Sequence, residues 1–353
     1  MTITEGGTPV YGEQVVISTT EGVIIDPPGG SAETDAAGEV LVTVDLQGST
    51  TPPTISAAAD GQWYYEVTPV NDYYQQTLAI PDGTCSAAGE VCVDVLPRHD
   101  LGAAMGYNVF SCMDWYGGHH VEGKTAIANR AYFEGFHLGY GTGGGDVLVV
   151  GDNLALKDGT VYGEAINGAL QIDLGNVTFD NGGTWTQGSP IDFVAACDDL
   201  RTLSDELAMF TPDGSIDVFP SGAIKLVGTD DGTNVFELPA AGVLNPSHEL
   251  VIVAPAGSKV LVNVQGPYVQ FVGMDVQLVG VNPEDVLFNM PDLDFGVVKY
   301  TELLGSILAP YGTINVSWGE IHGTLAVGDL RGCGDFYDTP FEGSLVDGEQ
   351  CPD

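Results

Sequence analysis

The chain has 353 residues, enough to bury a large core and to hold two or three domains. Its 49 Asp and Glu stand against nine Lys and Arg, a formal charge of −40 that repels nucleic acid and anionic membranes and excludes them as partners. A hydrophobic content of 44% excludes a disordered acidic tail, and 49 glycines without a collagen-like period indicate many tight turns between short strands.

Residues 1–97 read as a small β-sandwich. Short strand candidates lie at Val15 to Ile17, Gly22 to Ile25, Glu39 to Val44, Gln62 to Val67 and Gln76 to Ile80. Turn clusters such as Pro27-Pro28-Gly29-Gly30 and Asp35-Ala36-Ala37-Gly38 separate them. The first residues, among them Thr2, Ile3, Thr4 and Val10, form a candidate donor strand that could complete a neighbouring copy's sheet, head to tail. The start of the chain has neither the basic nor the apolar region of a signal peptide, and no run of about 18 apolar residues occurs. The expectation is a mature secreted form without membrane insertion.

From residue 98 to residue 353 the pattern changes to a β-solenoid. Alternating strands recur at Asp146 to Val150, Leu170 to Leu174, Leu250 to Val253, Val260 to Val264 and Val276 to Val279. Three more, Ser306 to Ala309, Thr313 to Val316 and Thr324 to Val327, follow one another with small residues at the corners. That spacing predicts a three-faced coil of roughly twenty residues per turn. Phe336 and Phe341 are bulky enough to cover the open end of the stack. One segment breaks the pattern: Phe193, Ala196, Leu200, Leu203, Leu207 and Phe210 recur at spacings of three and four, which predicts an amphipathic helix over about 190–210, started by Ser189-Pro190. The helix is expected to lie along one solenoid face.

Six cysteines in an acidic, glycine-rich, all-β chain point to disulfides and an extracellular home. Cys85 and Cys92 flank a plausible turn, Cys333 and Cys351 would tie the tail to the last rung, and Cys112 would then reach Cys197 on the helix. Other pairings remain open. For metals, His119-His120 with Asp114 and Glu122 is the local cluster that could take a transition ion. Asp230 and Asp231 in one turn, and Asp292 and Asp294 in another, could give oxygen ligands to Ca²⁺, the one cofactor considered. His99, His137, His248 and His322 are scattered, without hydrolase spacing, so no catalytic residue and no enzyme is expected. Trp63 to Tyr65, Tyr73-Tyr74, Trp115-Tyr116, Trp185 and Trp318 are candidates for a binding surface, because aromatics stack on sugars and anchor protein contacts.

Ordered motifs run through most of this second part: Leu101 to Ala104, Tyr107 to Phe110, Val121 to Ala128, Pro190 to Phe193, Ala254 to Val264, Asn282 to Asn289, Gly305 to Pro310, Gly323 to Ala326 and Pro340 to Gly343. In these the chain resembles the choice-of-anchor A family of bacterial secreted and surface proteins. The resemblance implies a β-solenoid-like domain with adhesive duty. Thr34 to Val40 likewise resembles a corner of bacterial immunoglobulin-like repeats, which implies a spacer module ahead of it. The function expected is adhesion to a surface glycan or protein, or self-assembly as a matrix or fibre subunit. Gly305 to Ala309, with a helix beside a solenoid, also resembles the ice-binding β-solenoid proteins. Ice faces need a flat array of Thr or small residues, and Thr184-Trp185-Thr186 does not recur at rung spacing. A polysaccharide-active enzyme is the third reading, poorly served by nine basic residues.

Overall fold

The computed structural model describes residues 99–345 apart from 119, together with the backbone of short strands within the first 97 residues. The chain divides into two compact units, Met1–Pro97 and Arg98–Asp353.

In the first unit Gln14–Thr19 pairs antiparallel with Ser31–Glu33 on one side and Ile55–Ala59 on the other, and Ile55–Ala59 pairs with Gln62–Val67. Val23–Asp26 pairs separately with Thr43–Asp45. Thr4, a member of the expected donor strand, is paired with Pro9 in a short hairpin; Thr2, Ile3 and Val10 lie outside the described residues, as do Cys85, Cys92 and the strand expected at 76–80.

The second unit is a solenoid of parallel strands. Residues facing each other on successive rungs are 16 apart at Val109 and Thr125 and 26 apart at Val235 and Leu261. On one face the order of strands is 233–239, 259–265, 286–289, 306–309, 325–327, 109–111, 125–127, 146–150, 164–167 and 185–187. Chain order is therefore broken in the middle. The first half grows outward from 109 to 187. The helix Phe193–Leu207 then carries the chain back, and the second half grows inward from the far end until 325–327 meets 109–111.

This corrects the expectation that the last segment covers an open end. The closing strand Leu325–Tyr337 has a hydrogen-bonded neighbour on both sides, so Phe336 lies in the interior and Phe341 packs under the helix. The far end is closed by an antiparallel hairpin instead, Ser215–Val218 with Ala223–Val227.

The helix face is apolar on both sides of its strands. Val109, Ile127, Val262, Phe288 and Val327 point inward, while Phe110, Ala126, Leu261, Leu287, Leu308 and Ala326 point at the helix. A sheet covered on both faces shows continuous apolar runs rather than alternation. The helix supplies Phe193, Ala196, Cys197, Leu200, Leu203, Ser204 and Leu207 to that interface. It is capped by Asp192, whose carboxylate accepts the Ala195 N–H at 3.1 Å, and not by Ser189. Cys112 and Cys197 form a disulfide that pins its first turns to the rung after Phe110. Cys333 is exposed with no described cysteine bonded to it, and its expected partner Cys351 lies outside the described residues.

Rung stacking leaves no room for side chains where corners touch. Gly117, at φ +148°, sits where a Cβ would fall 2.0 Å from the Gly332 carbonyl oxygen, at the seam between the two halves. Gly117→Ala is expected to destabilise the solenoid by at least about 2 kcal/mol, read from the urea midpoint, because backbone must move to admit one methyl. A midpoint equal to the parent's would show that the seam tolerates separation.

Candidate binding face

Two neighbouring rungs turn the corner from the second face, which runs through 295–299, 313–317 and 329–333, to the third, which runs through 302–304, 320–322 and 335–337, with the same register: Lys299 lies opposite Ser317, and Glu302 opposite Glu320. Between them stand Tyr300 and Trp318, linked by a hydrogen bond from the Tyr300 N–H to the Trp318 carbonyl at 3.1 Å. Both adopt left-handed backbone, at φ 52° and 54°. The rung before them uses glycine, Gly273 at φ 59°, whose N–H donates to the Lys299 carbonyl. A bulky residue in that conformation costs about 1–2 kcal/mol. Both side chains nonetheless project into solvent, Tyr300 at 62% and Trp318 at 75% exposure, with Lys299 Nζ 4.8 Å above the tyrosine ring. Packing does not explain them.

Beyond this corner the third face carries a row built across rungs: Glu302, Glu320, Asp335, His120, His137, Thr160 and Thr178 occupy successive matched positions. His120 Nδ1 lies 3.1 Å from Asp335 Oδ1, the His120 and His137 rings are 5.2 Å apart, and His137 Nδ1 is 3.2 Å from the Tyr162 hydroxyl. In the adjacent row His322 stacks flat on Tyr337, with 4.3 Å between centroids and 10° between planes. His322 Nε2 is 3.2 Å from Glu302 Oε1, and the donor atoms of Glu302, Glu320 and His322 all lie within 4.8 Å of one another. Partial burial first, then the charges of Glu320, Asp335, Glu302 and Glu122, push the Tyr337 phenol above its ordinary range. Four carboxylates thus act on this one phenol.

The structure separates the local cluster expected around the paired histidines. His120 joins the third-face row, and His119 lies outside the described residues. Asp114 belongs to the second face, where burial alone would raise its carboxyl but hydrogen bonds from Arg130 and Tyr116 hold it below its ordinary value. Glu122 accepts the Asp338 N–H at 3.0 Å. Among the expected calcium ligands, Asp230 is engaged in its own turn, accepting from the Gly232 N–H at 2.5 Å. Among the described residues Asp230, Asp231, Asp292 and Asp294 join no group of three metal-ligating side chains; Glu302, Glu320 and His322 do. Of the aromatic candidates, Trp115 is core, packed edge-on against Phe133 and Phe336, and Trp318 is fully presented.

The second face holds Arg130 with Asp114, Arg331 with Asp329 and Lys157 with Glu134, each a side-chain ion pair. It is no flat array of threonines. On the third face Thr160 and Thr178 stack, their hydroxyls 2.7 Å apart, and the row then passes to His137. No described helix is long and apolar enough to cross a membrane.

A family described as "Putative Ice-binding-like adhesive domain" matches residues 100–337. No curated protein sequence matches the chain. Similar solved structures include the ice-binding protein of the Antarctic ascomycete Antarctomyces psychrotrophicus, at 15% identity and TM-score 0.33, covering 72% of this chain and 100% of that one. Ice-binding protein 1 of Shewanella frigidimarina is similar at 16% identity and TM-score 0.34, covering 69% and 96%. An ice-binding protein from an Antarctic biological consortium is similar at 12% identity and TM-score 0.32, covering 72% and 94%.

Proposed function

Because the chain belongs to the family of ice-binding-like adhesive domains through residues 100–337, we propose that its solenoid is an extracellular adhesive domain that holds a surface glycan at the Tyr300–Trp318 corner. The observation that carries this reading is two exposed aromatics on successive rungs, kept in a backbone conformation that glycine would adopt without cost. Flat aromatic faces bind the apolar faces of sugar rings, and Glu302 and Glu320 beside them accept hydroxyl hydrogens. The Cys112–Cys197 disulfide supports an oxidising, extracellular setting. The motifs shared with choice-of-anchor A proteins support a bacterial surface, with Met1–Pro97 as a spacer of immunoglobulin-like kind. The family is adhesive and ice-binding-like in description, which favours binding over catalysis.

Trp318→Gly and Tyr300→Gly test the assignment. Each is expected to weaken glycan binding at least about tenfold, as loss of a stacking anchor does. Each should also stabilise the fold by about 1 kcal/mol through release of left-handed strain. A glycan array followed by titration calorimetry reads the first effect and urea unfolding the second. Parental affinity in both variants would remove the corner from the function.

The alternative reading, ice binding, has the stronger support from the family's own description, with the Thr160–Thr178 hydroxyl ladder beside it. Thermal hysteresis separates the two: growth arrest of ice by the parent, retained in Trp318→Gly, would make ice the ligand and the third face the contact.

A further inference from the structure

We infer that Glu302, Glu320 and His322 form a binding site for a borderline divalent metal ion, of the zinc kind. The parallel register places Glu302 directly opposite Glu320, and Asp335 is next in the same row. Like charges set opposite one another on neighbouring strands repel, and this protein already carries a formal charge of −40. A divalent cation between the first two carboxylates removes that repulsion.

The imidazole makes this more than an acidic patch. His322 Nε2 is shielded from solvent and has no hydrogen-bond partner of good geometry, although it lies 3.2 Å from Glu302 Oε1. Two ligands held at about 2.1 Å by a tetrahedral ion are themselves about 3.4 Å apart, so that spacing already suits a shared metal. The remaining separations, up to 4.8 Å, close with a small inward rotation of the glutamates, of which Glu302 is exposed. Stacking on Tyr337 fixes the ring plane of His322 and with it the direction of the Nε2 lone pair. One imidazole with two carboxylates is a donor set for zinc, and a poor one for calcium, which takes six to eight oxygens. Three protein ligands leave a coordination position open to water or to a hydroxyl.

The test is calorimetric titration of the chelator-treated full chain with ZnCl₂, with CoCl₂ as a spectroscopic stand-in. One ion per chain is expected, with visible Co²⁺ bands of a four-coordinate nitrogen–oxygen site. His322→Phe, which keeps the stack on Tyr337, and Glu320→Gln should each weaken binding at least about tenfold. Glu320→Gln, which relieves like-charge repulsion, should melt no lower than the metal-free parent, separating lost ligation from lost folding. Asp294→Asn should bind as the parent does. Absence of saturable zinc binding, or equal affinity in both ligand variants, overturns the inference. So does calcium displacing zinc at equal concentration. Zinc is titrated here without any sugar, so this site and the glycan reading can fail independently.

Discussion

Replacing Cys112 and Cys197 together by alanine is expected to lower the stability of the second unit by about 4–5 kcal/mol. The bond closes a separation of 85 residues, and the entropy it removes from the unfolded chain grows with the logarithm of that length. The span is no ordinary loop. It contains the outward-growing half of the solenoid from the end of its first strand, 109–111, onward, and ends on the first turns of the helix that brings the chain back. With the bond gone, the native state keeps Phe193 against Phe110, at 5.7 Å between ring centroids, so the helix should still dock. The loss should therefore appear as a lower denaturant midpoint with a steeper slope, because the unfolded chain without the cross-link exposes more surface. A difference below about 1 kcal/mol between the oxidised parent and the double variant would mean that the unfolded chain is already restricted by other means.

The second large effect is expected from Asn289→Ala, about 3 kcal/mol. Asn289 and Asn263 occupy matched positions on successive rungs beneath the helix. The Asn289 amide donates to the Ser204 carbonyl and to Asn263 Oδ1, both at 2.9 Å, and its oxygen accepts the Ser204 hydroxyl at 2.6 Å. Asn263 in turn donates to the Leu207 carbonyl at 2.8 Å. All three side chains are buried. Truncation leaves Asn263 Oδ1 and the Ser204 hydroxyl without these partners, away from water, at about 1–3 kcal/mol each. Ser204→Ala added to Asn289→Ala should recover part of that cost, since it removes one stranded group. Full additivity in this double-mutant cycle would show that the amides act separately and would remove the network from the account.

Much of the second unit is legible from its residues. The spacing from Phe193 to Phe210 locates the helix and the side it buries, and that side in turn brings Cys197 to Cys112. Strands at 146–150, 260–264 and 276–279 follow from alternation and turn chemistry. The order of the rungs does not. Val109 and Val327 record that each is covered, and nothing in either local pattern records that their strands lie side by side. The candidate face was hidden for a related reason. Scanning for ligands within a few residues finds His119-His120 with Asp114 and Glu122, whereas a solenoid assembles its sites across rungs. Glu302 and Glu320 are 18 positions apart, opposite each other, and His322 faces Leu304 in the same pair of rungs. A search at the rung period would have brought them together. Trp115 and Trp318 look alike in sequence, but only the second occupies a corner, where backbone sign rather than composition decides what faces outward.

The broken rung order has a mechanical consequence. The first and last described residues of the second unit lie side by side, joined by two hydrogen bonds between His99 and Leu345 at 3.0 and 2.9 Å. Tension applied between those two residues meets that clamp first. The next strands in the load path are 109–111 and 325–327, which are themselves neighbours. The remaining rungs, including those that carry Tyr300, Trp318 and the Glu302 cluster, hang off the line of force and need not stretch while the clamp holds. Rungs mounted this way keep their shape when those two residues are pulled apart, and the breaking strength is set by one short seam rather than by the height of the stack.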